Sequence, residues 1–167
     1  MKPEATQLAS LSALISQDLS SIERLNAELS EVSPSLNSPK PAFRDMAAAA
    51  YLLHNIYCAL EDAFEQVSRT FENHVVDPAQ WHKELLGKMF LEIPTVRPAV
   101  LPLDLRGFLN DLRGFRHLFR HSYDFDLNAE KLISLVRAWT AARPLLLEAL
   151  SRFRDDLLRK IQSTESI

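Results

Sequence analysis

The segment "FRDMAAAAYLLHNIYCALEDAFEQVSRTFE", residues 43–72, predicts one long helix at the centre of the fold. It contains neither glycine nor proline, so nothing within it interrupts a helix. Its larger side chains recur at intervals of three or four residues, which places them on one side of the helix. The positions on that side are Tyr51, His54, Tyr57, Leu60 or Glu61, Phe64, Val67 and Phe71.

The region before this segment predicts an amphipathic helix. Apolar residues recur at intervals of three and four from Leu8 to Val32, with Ser, Glu and Asn between them. The stretch "SPSLNSPKP", residues 33–41, contains three prolines, which remove amide donors and disfavour helical backbone in the residues before them. We therefore expect the first helix to end at Val32 and a loop to follow it.

A short third helix is predicted from the residues near Asp77. Asp77 suits the N-cap, Pro78 suits the first helical position, and Gln80 can close a capping box. The proline-rich "EIPTVRPAVLP", residues 92–102, comes soon afterwards. We expect the helix to end near Phe90 and a loop to follow.

Two more helices are predicted in the rest of the chain. Pro102 opens a fourth helix that runs to about His121, and Asn128 caps a fifth that continues to about Lys160. Pro144 lies inside the fifth helix, where it lacks the amide that would bond the carbonyl of Thr140. We therefore expect a kink in the fifth helix.

The composition favours an all-α fold. Only three glycines occur in 167 residues, and the alternation of apolar and polar residues that marks strands is nearly absent. With 47% hydrophobic residues, the chain can bury a core without a metal or a disulfide. We predict a single domain, residues 1–167, built as an up-and-down four-helix bundle with one extra short helix and a polar tail at about 161–167.

Several classes of protein are excluded at this level. The one cysteine, Cys58, has no partner for an internal disulfide, and the start of the chain lacks the apolar core of a secretory signal. No apolar run approaches the roughly 20 residues that cross a bilayer. We therefore expect a cytoplasmic protein that does not span a membrane.

The fourth predicted helix carries an unusual concentration of positive charge. Residues 106–121 hold four arginines against one aspartate, although the whole chain has a net charge of -3. With about 100° per residue, the arginines and two histidines of this helix fall on one arc. The apolar residues assigned to the other side are Leu105, Phe108, Leu112, Phe115, Leu118 and Phe119. We therefore predict one cationic and one apolar face, and an anionic partner for the former.

Three interpretations of this cationic face compete. A solvated face is the usual role of a charge run, but this run lacks the interspersed acids that such faces carry. A metal site at His117 and His121 is opposed by the flanking arginines and by Leu118, which stands where the zincin pattern has glutamate. The third interpretation is phosphodiester chemistry, with Arg116 as a bidentate phosphate ligand and His121 as a proton-transfer group.

The spacing of Arg116 and His121 sets a condition on that third interpretation. Residues five apart diverge by about 140° on a straight helix, so the helix must end near His121 or a second subunit must complete the site.

Gly107 and Gly114 lie seven residues apart between the two faces and each weakens a helix by up to about 1 kcal/mol relative to alanine. We interpret them either as sites of close packing, such as against the same helix of a second subunit, or as exposed positions where glycine is merely tolerated.

Other polar residues receive a lesser role. His54, His74 and His82 have no ligand spacing and Cys58 has no base beside it in sequence, so structural roles are predicted for all four. Three acids of the second helix are hypothesised to face the arginine-rich helix and to hold its side chains. These acids are Glu61, Asp62 and Glu65.

The residues around Arg116 resemble a known family. Arg116, the polar His117, three further residues and His121 are similar to the motif of HEPN-domain ribonucleases, and Tyr123 extends it to the longer form found in HepT-like toxins. The stretches "YLLHNIYCALEDAFEQV" and "DLRGFRHLFRHSYDFDLNAEKL" also resemble HepT-like proteins, and the length and helix order agree across nearly the whole chain.

The resemblance implies a HEPN four-helix-bundle homodimer that acts as the toxin of a toxin–antitoxin pair. It implies metal-independent endoribonuclease activity on mRNA or tRNA, at a composite site where the motifs of two subunits meet, with no cofactor and no metal ligand. Arg116 would bind and polarise the phosphate, His121 would transfer protons, and His117 would orient the pair or bind RNA. Arg113 and Arg120 lie outside the motif and are assigned only general attraction of phosphate.

The resemblance also implies regulation by a partner. HepT-like toxins are paired with a small nucleotidyltransferase antitoxin, which in some members transfers AMP to the motif tyrosine, here Tyr123. A bulky anion beside Arg116 would occupy the phosphate site. The alternative function is a non-catalytic HEPN module that binds the nucleotidyltransferase or a nucleotide without cutting RNA.

Overall fold

The computed structural model describes residues 3–72, 81–121 and 127–165, and these residues confirm the predicted all-α bundle. Their helices are α1 (Pro3–Val32), α2 (Phe43–Glu72), α3 (Trp81–Met89), α4 (Arg106–His121) and α5 (Ala129–Glu165). Single 3₁₀ turns, Ser33–Asn37 and Leu103–Leu105, precede α2 and α4. No strand occurs within the described ranges, where an isolated bridge between Ile93 and Arg97 closes a turn.

The helix ends agree with the sequence in most places. α2 has the predicted bounds, α1 ends at Val32 as predicted, and the side chain of Asn128 caps α5 by accepting a 2.9 Å hydrogen bond from the amide of Lys131. The predicted end of α5, at about Lys160, is wrong, because the helix continues for five more residues to Glu165. The predicted start of α3 from Asp77 to Gln80 lies outside the described residues.

The core lies around α2, which packs against each of the other four α-helices. Its twelve-residue buried face carries leucine, isoleucine, alanine and aromatic side chains at helical spacing. Trp139 of α5 is fully buried, and its indole Nε1 donates a 2.9 Å hydrogen bond to the side-chain oxygen of Asn26 on α1. This bond satisfies the only polar atom of the Trp139 side chain and joins α5 to α1.

A buried arginine fixes the short helix α3 against the end of α2. The Arg97 side chain is completely buried and donates to a carboxylate oxygen of Glu72 at 2.5 Å and to the carbonyls of Lys88, Leu91 and Pro98. Burial alone would raise the pKa of Glu72, but hydrogen bonds and charges from Lys88 and Arg97 bring that pKa below its usual range. The C-terminal end of α3 therefore has a fixed position relative to α2.

No helix of the described residues combines the length and apolar character needed to cross a lipid bilayer.

The pair Asp18 on α1 and Asp62 on α2 should make stability depend on pH. Burial, and secondly the charge of Asp62, raises the pKa of Asp18 from 3.8 to about 6. The folded state therefore holds this proton more tightly than the unfolded state, and the ionised carboxylate destabilises the fold above a pH of about 6. This destabilisation disappears as the pH falls below 3.8.

We expect Asp18→Asn to increase the free energy of unfolding at about pH 7.5 and to change it little at about pH 3.5. Urea unfolding followed by circular dichroism at the two pH values measures this. Asp155→Asn, which removes an exposed carboxylate of α5, is the control. An equal gain from Asp18→Asn at both pH values would contradict the assignment.

Candidate active site

Helix α4 turns Arg116 into the bundle. Its buried positions are Leu109, Leu112 and Arg116, which continue the line begun by Leu105 in the preceding 3₁₀ turn. Arg116 is only 7% exposed, whereas Leu118, predicted for the apolar face, is 53% exposed. The prediction that Arg116 lies on an exposed cationic face is therefore wrong.

The physical reason for this orientation is a buried carboxylate on α2. Arg116 Nη2 lies 3.6 Å from Glu61 Oε1, and the two side chains are 9% and 5% exposed. A buried arginine needs a partner of opposite charge, and Glu61 provides it. The charge of Arg116 led to the prediction of a solvent-facing side chain, although its spacing from Leu105, Leu109 and Leu112 places it on their side of α4.

His82 of α3 contacts both members of this ion pair. Its Nδ1 forms a hydrogen bond with Glu61 Oε1, and its Nε2 lies 3.4 Å from Arg116 Nη1. Three helices therefore contribute one side chain each to a closed arrangement. We call Glu61, His82 and Arg116 the Arg116 triad.

Cys58 and His54 lie beside the triad on α2. The Sγ atom of Cys58 is 3.6 Å from His54 Nε2, and Arg116 also donates to the thiol. Burial raises the pKa of Cys58 although the hydrogen bond and the charge of Arg116 oppose this, so the thiol is protonated at neutral pH. Burial, followed by the charges of Arg116 and Arg120, lowers the pKa of His54, which is therefore neutral at the same pH.

Several buried polar atoms of this region have no hydrogen-bond partner among the described residues. They are Glu61 Oε2, Arg116 Nε, Arg113 Nε and His54 Nδ1. The guanidinium of Arg116 is thus held through its Nη atoms, while Nε is unused. Unpaired buried donors of this kind are uncommon in protein interiors and mark places that call for a functional explanation.

The last turn of α4 presents the remaining motif residues to solvent. His117, Arg120 and His121 are exposed, and the rings of the two histidines lie 4.7 Å apart between centroids. His121 is the last described residue of α4, and Tyr123 lies outside the described residues. Within one chain, the structure brings His117 and His121 together but places Arg116 on another side of the helix.

Arg113 has an intermediate position one turn before Arg116. Its side chain is half-buried and its positive charge reaches Tyr57 of α2. Burial and the charge of Glu61 raise the pKa of Tyr57 far above its usual range, while Arg113 and Arg116 oppose the shift. Tyr57 is therefore uncharged, and Arg113 adds positive potential between α2 and α4.

The two glycines of α4 face open space in this chain. A Cβ atom at Gly107 or Gly114 would have no neighbour within 4 Å, so packing inside the protomer does not require glycine there. Gly114 lines a cleft of about 560 Å³ between α4 and α5, together with Asn110, Phe115, Leu118 and Lys131. The close packing predicted at these glycines does not occur within one protomer.

The hypothesis that three acids of α2 hold the arginine-rich helix is correct for one of them. Glu61 pairs with Arg116, as described above. Asp62 is exposed and acts on Asp18, and Glu65 forms a surface ion pair with Arg69 one turn along α2. Glu61 is the one acid of the group that forms an ion pair with α4 among the described residues.

Sequence reasoning missed His54, Cys58 and His82 as neighbours of Arg116. A signal for two of them was present, because His54, Cys58 and Glu61 are separated by four and three residues and so share one side of α2. No comparable signal existed for His82, because its position depends on how α3 packs against α2. The third isolated histidine, His74, lies outside the described residues.

The all-α bundle of the described residues is consistent with a HEPN-type fold. A family model described as "HepT-like protein" matches residues 48–157, from α2 to most of α5. The chain belongs to the HepT-like family. Membership indicates a HEPN-type toxin module and a toxin–antitoxin context, since this family is generally linked to ribonuclease toxins. Comparisons with curated proteins and with solved structures gave no match.

The Arg116 triad should contribute to folding as well as to chemistry. We expect Arg116→Ala to lower the free energy of unfolding by roughly 3 kcal/mol, because it leaves the buried charge of Glu61 without its cation. Arg120→Ala removes an exposed arginine of the same helix and should change it by less than about 0.5 kcal/mol. Urea unfolding of both variants measures the difference, and equal losses would contradict a buried ion pair.

Proposed function

We propose that this protein is the toxin of a toxin–antitoxin pair and acts in the cytoplasm as a metal-independent endoribonuclease on mRNA or tRNA. The observation that carries the proposal is the presence of Arg116 and His121 on α4 in a chain of the HepT-like family. The proposal assigns the two residues complementary roles, because one is a permanent cation and the other can exchange a proton near neutral pH.

The proposed reaction is attack of an RNA 2′-hydroxyl on the adjacent phosphate. The exposed His121 removes the hydroxyl proton or returns a proton to the leaving 5′-oxygen. The guanidinium of Arg116 stabilises the negative charge that develops on the phosphate oxygens. His117, whose ring lies beside that of His121, orients it or contacts the RNA, and Arg113 and Arg120 attract the RNA backbone.

A homodimer supplies the geometry that one chain lacks. Arg116 faces the interior of its own bundle and His121 faces solvent, so the pair does not converge on one side of α4. A second copy packed against α4 would bring its His121 towards the Arg116 of the first.

His121→Ala is the cleanest test of catalysis, because the side chain is exposed and its removal leaves the core intact. We expect cleavage of total RNA and tRNA to fall by about 10²- to 10⁴-fold, the usual contribution of a general acid or base. EDTA should leave the wild-type rate unchanged. Arg152→Ala, which removes a remote exposed arginine on α5, should cleave like the wild type. Equal cleavage by wild type and His121→Ala would remove the catalytic assignment.

Inhibition by a nucleotidyltransferase antitoxin forms part of the proposal. Transfer of AMP to Tyr123 would place a phosphate two residues after His121, close to the cationic last turn of α4. The added negative charge and bulk would compete with RNA for the same cations. Modification would therefore act at the site itself and would not need a change in the fold.

Mass spectrometry after co-expression with a small nucleotidyltransferase antitoxin tests this modification. We expect one or more AMP groups on the peptide that contains Tyr123, and none after Tyr123→Phe. Tyr51→Phe is the matched control, because Tyr51 is 59% exposed and should leave the modification unchanged. An unmodified Tyr123 in a fully inhibited complex would contradict AMP transfer and favour inhibition by binding alone.

A non-catalytic HEPN module is the second candidate function. The observation that favours it is the burial of Arg116 in an ion pair, which gives this arginine a structural role without any reaction. Such a module would bind the nucleotidyltransferase or a nucleotide through the exposed cations at the end of α4. Binding of ATP or AMP by calorimetry, together with identical RNA patterns from wild type and His121→Ala, would favour this function over the nuclease.

A further inference from the structure

We propose that Glu61 and His82 are positioning residues that fix the guanidinium of Arg116 for phosphate binding, with His82 acting as the neutral tautomer that carries its proton on Nδ1. This inference rests on the proposed function, because it assigns a role to residues that contact Arg116 and not to residues that contact RNA. Neither residue belongs to the Arg–His motif on α4.

The hydrogen bonds define the tautomer. Glu61 Oε1 can only accept from His82 Nδ1 while the carboxylate is ionised, so the proton lies on Nδ1. Arginine nitrogens can only donate, so His82 Nε2, which lies 3.4 Å from Arg116 Nη1, must accept. Both contacts therefore require the same form of the ring. A second proton on Nε2 would set two N–H groups against each other and place two cations side by side.

Two members of the triad, Glu61 and Arg116, are buried, whereas the side chain of His82 is 35% exposed. The side chains of Glu61 and Arg116 are 5% and 9% exposed, so water competes little for their contacts. The edge-on ring of Trp81, 4.9 Å away between centroids, restricts the ring of His82 on its other side. The ion pair of Arg97 with Glu72 and the hydrogen bond from Arg97 to the carbonyl of Lys88 fix the end of α3, the helix that carries His82.

The triad holds the guanidinium without using all of its donors. The 3.6 Å separation of Arg116 Nη2 and Glu61 Oε1 is longer than a normal N–H···O hydrogen bond, and Nε has no partner among the described residues. Nε is itself buried, so a phosphate would reach the guanidinium only through the small exposed part of the side chain, while His82 still contacts Nη1. Glu61 and His82 thus limit the orientation of the side chain and leave donors for an anion.

Steady-state cleavage of RNA tests the functional part. We expect His82→Ala to lower kcat by about 10- to 100-fold while KM for RNA changes by less than about threefold, because the chemical step depends on the placement of Arg116. His82→Gln should recover part of kcat, since its amide can donate to Glu61 and accept from Arg116. Lys83→Ala on α3 and Glu65→Gln on α2 are matched controls with wild-type rates expected.

A double-variant comparison separates positioning from a general loss of structure. In an Arg116→Lys background, His82→Ala should cause little further loss of kcat, because its partner is already altered. An independent loss of the same size in both backgrounds would overturn the assignment. Wild-type kcat for His82→Ala would overturn it equally.

Nitrogen-15 NMR of the histidine rings tests the triad without any activity assay. We expect the His82 signals of a ring protonated at Nδ1 in the wild-type protein at about pH 7.5, and loss of this preference in Glu61→Ala. Protonation at Nε2 in the wild type would overturn the triad whether or not RNA is cleaved. A wild-type protein that shows the Nδ1 tautomer but cleaves no RNA would support the triad geometry and refute the nuclease.

Discussion

The buried ion pair between Glu61 and Arg116 is the contact on which the arrangement of α2, α3 and α4 depends. It joins α2 to α4 in the interior, and His82 extends it to α3. Because a buried charge without a partner is strongly destabilising, this contact allows few alternative rotations of α4 about its own axis. The rotation that it selects determines which residues of α4 reach solvent and which reach the core.

The two halves of the motif consequently lie in different environments. Arg116 belongs to the packed interior, where its neighbours restrict its orientation, whereas His117 and His121 lie on the exposed last turn of α4. An arginine that binds phosphate benefits from a fixed guanidinium. A histidine that transfers protons benefits from access to solvent and substrate. The division between buried and exposed positions therefore agrees with the separate roles that we propose for the two residues.

Much of the fold could be predicted from the sequence because it depends on local patterns. The apolar spacing of α2 and the side chain of Asn128 defined helix ends correctly, since caps and periodicity act within a few residues. Helical spacing also places Arg116 in line with Leu109 and Leu112, but its charge led to the opposite prediction. The contacts that bury it involve Glu61, 55 positions earlier in the chain, which the sequence offered as one of three candidate acids. They also involve His82 of another helix, for which no local pattern gave a signal.

The buried pair also constrains how this chain can diverge. A relative that replaces Arg116 by an apolar residue while it retains Glu61 would carry an uncompensated negative charge in its core. A relative that replaces Glu61 and retains Arg116 would carry an uncompensated positive charge there. The two positions are therefore expected to change together in evolution, and the position of His82 with them. Substitutions far from the motif in sequence, on α2 or α3, would then impair the proposed activity without changing any residue of the motif.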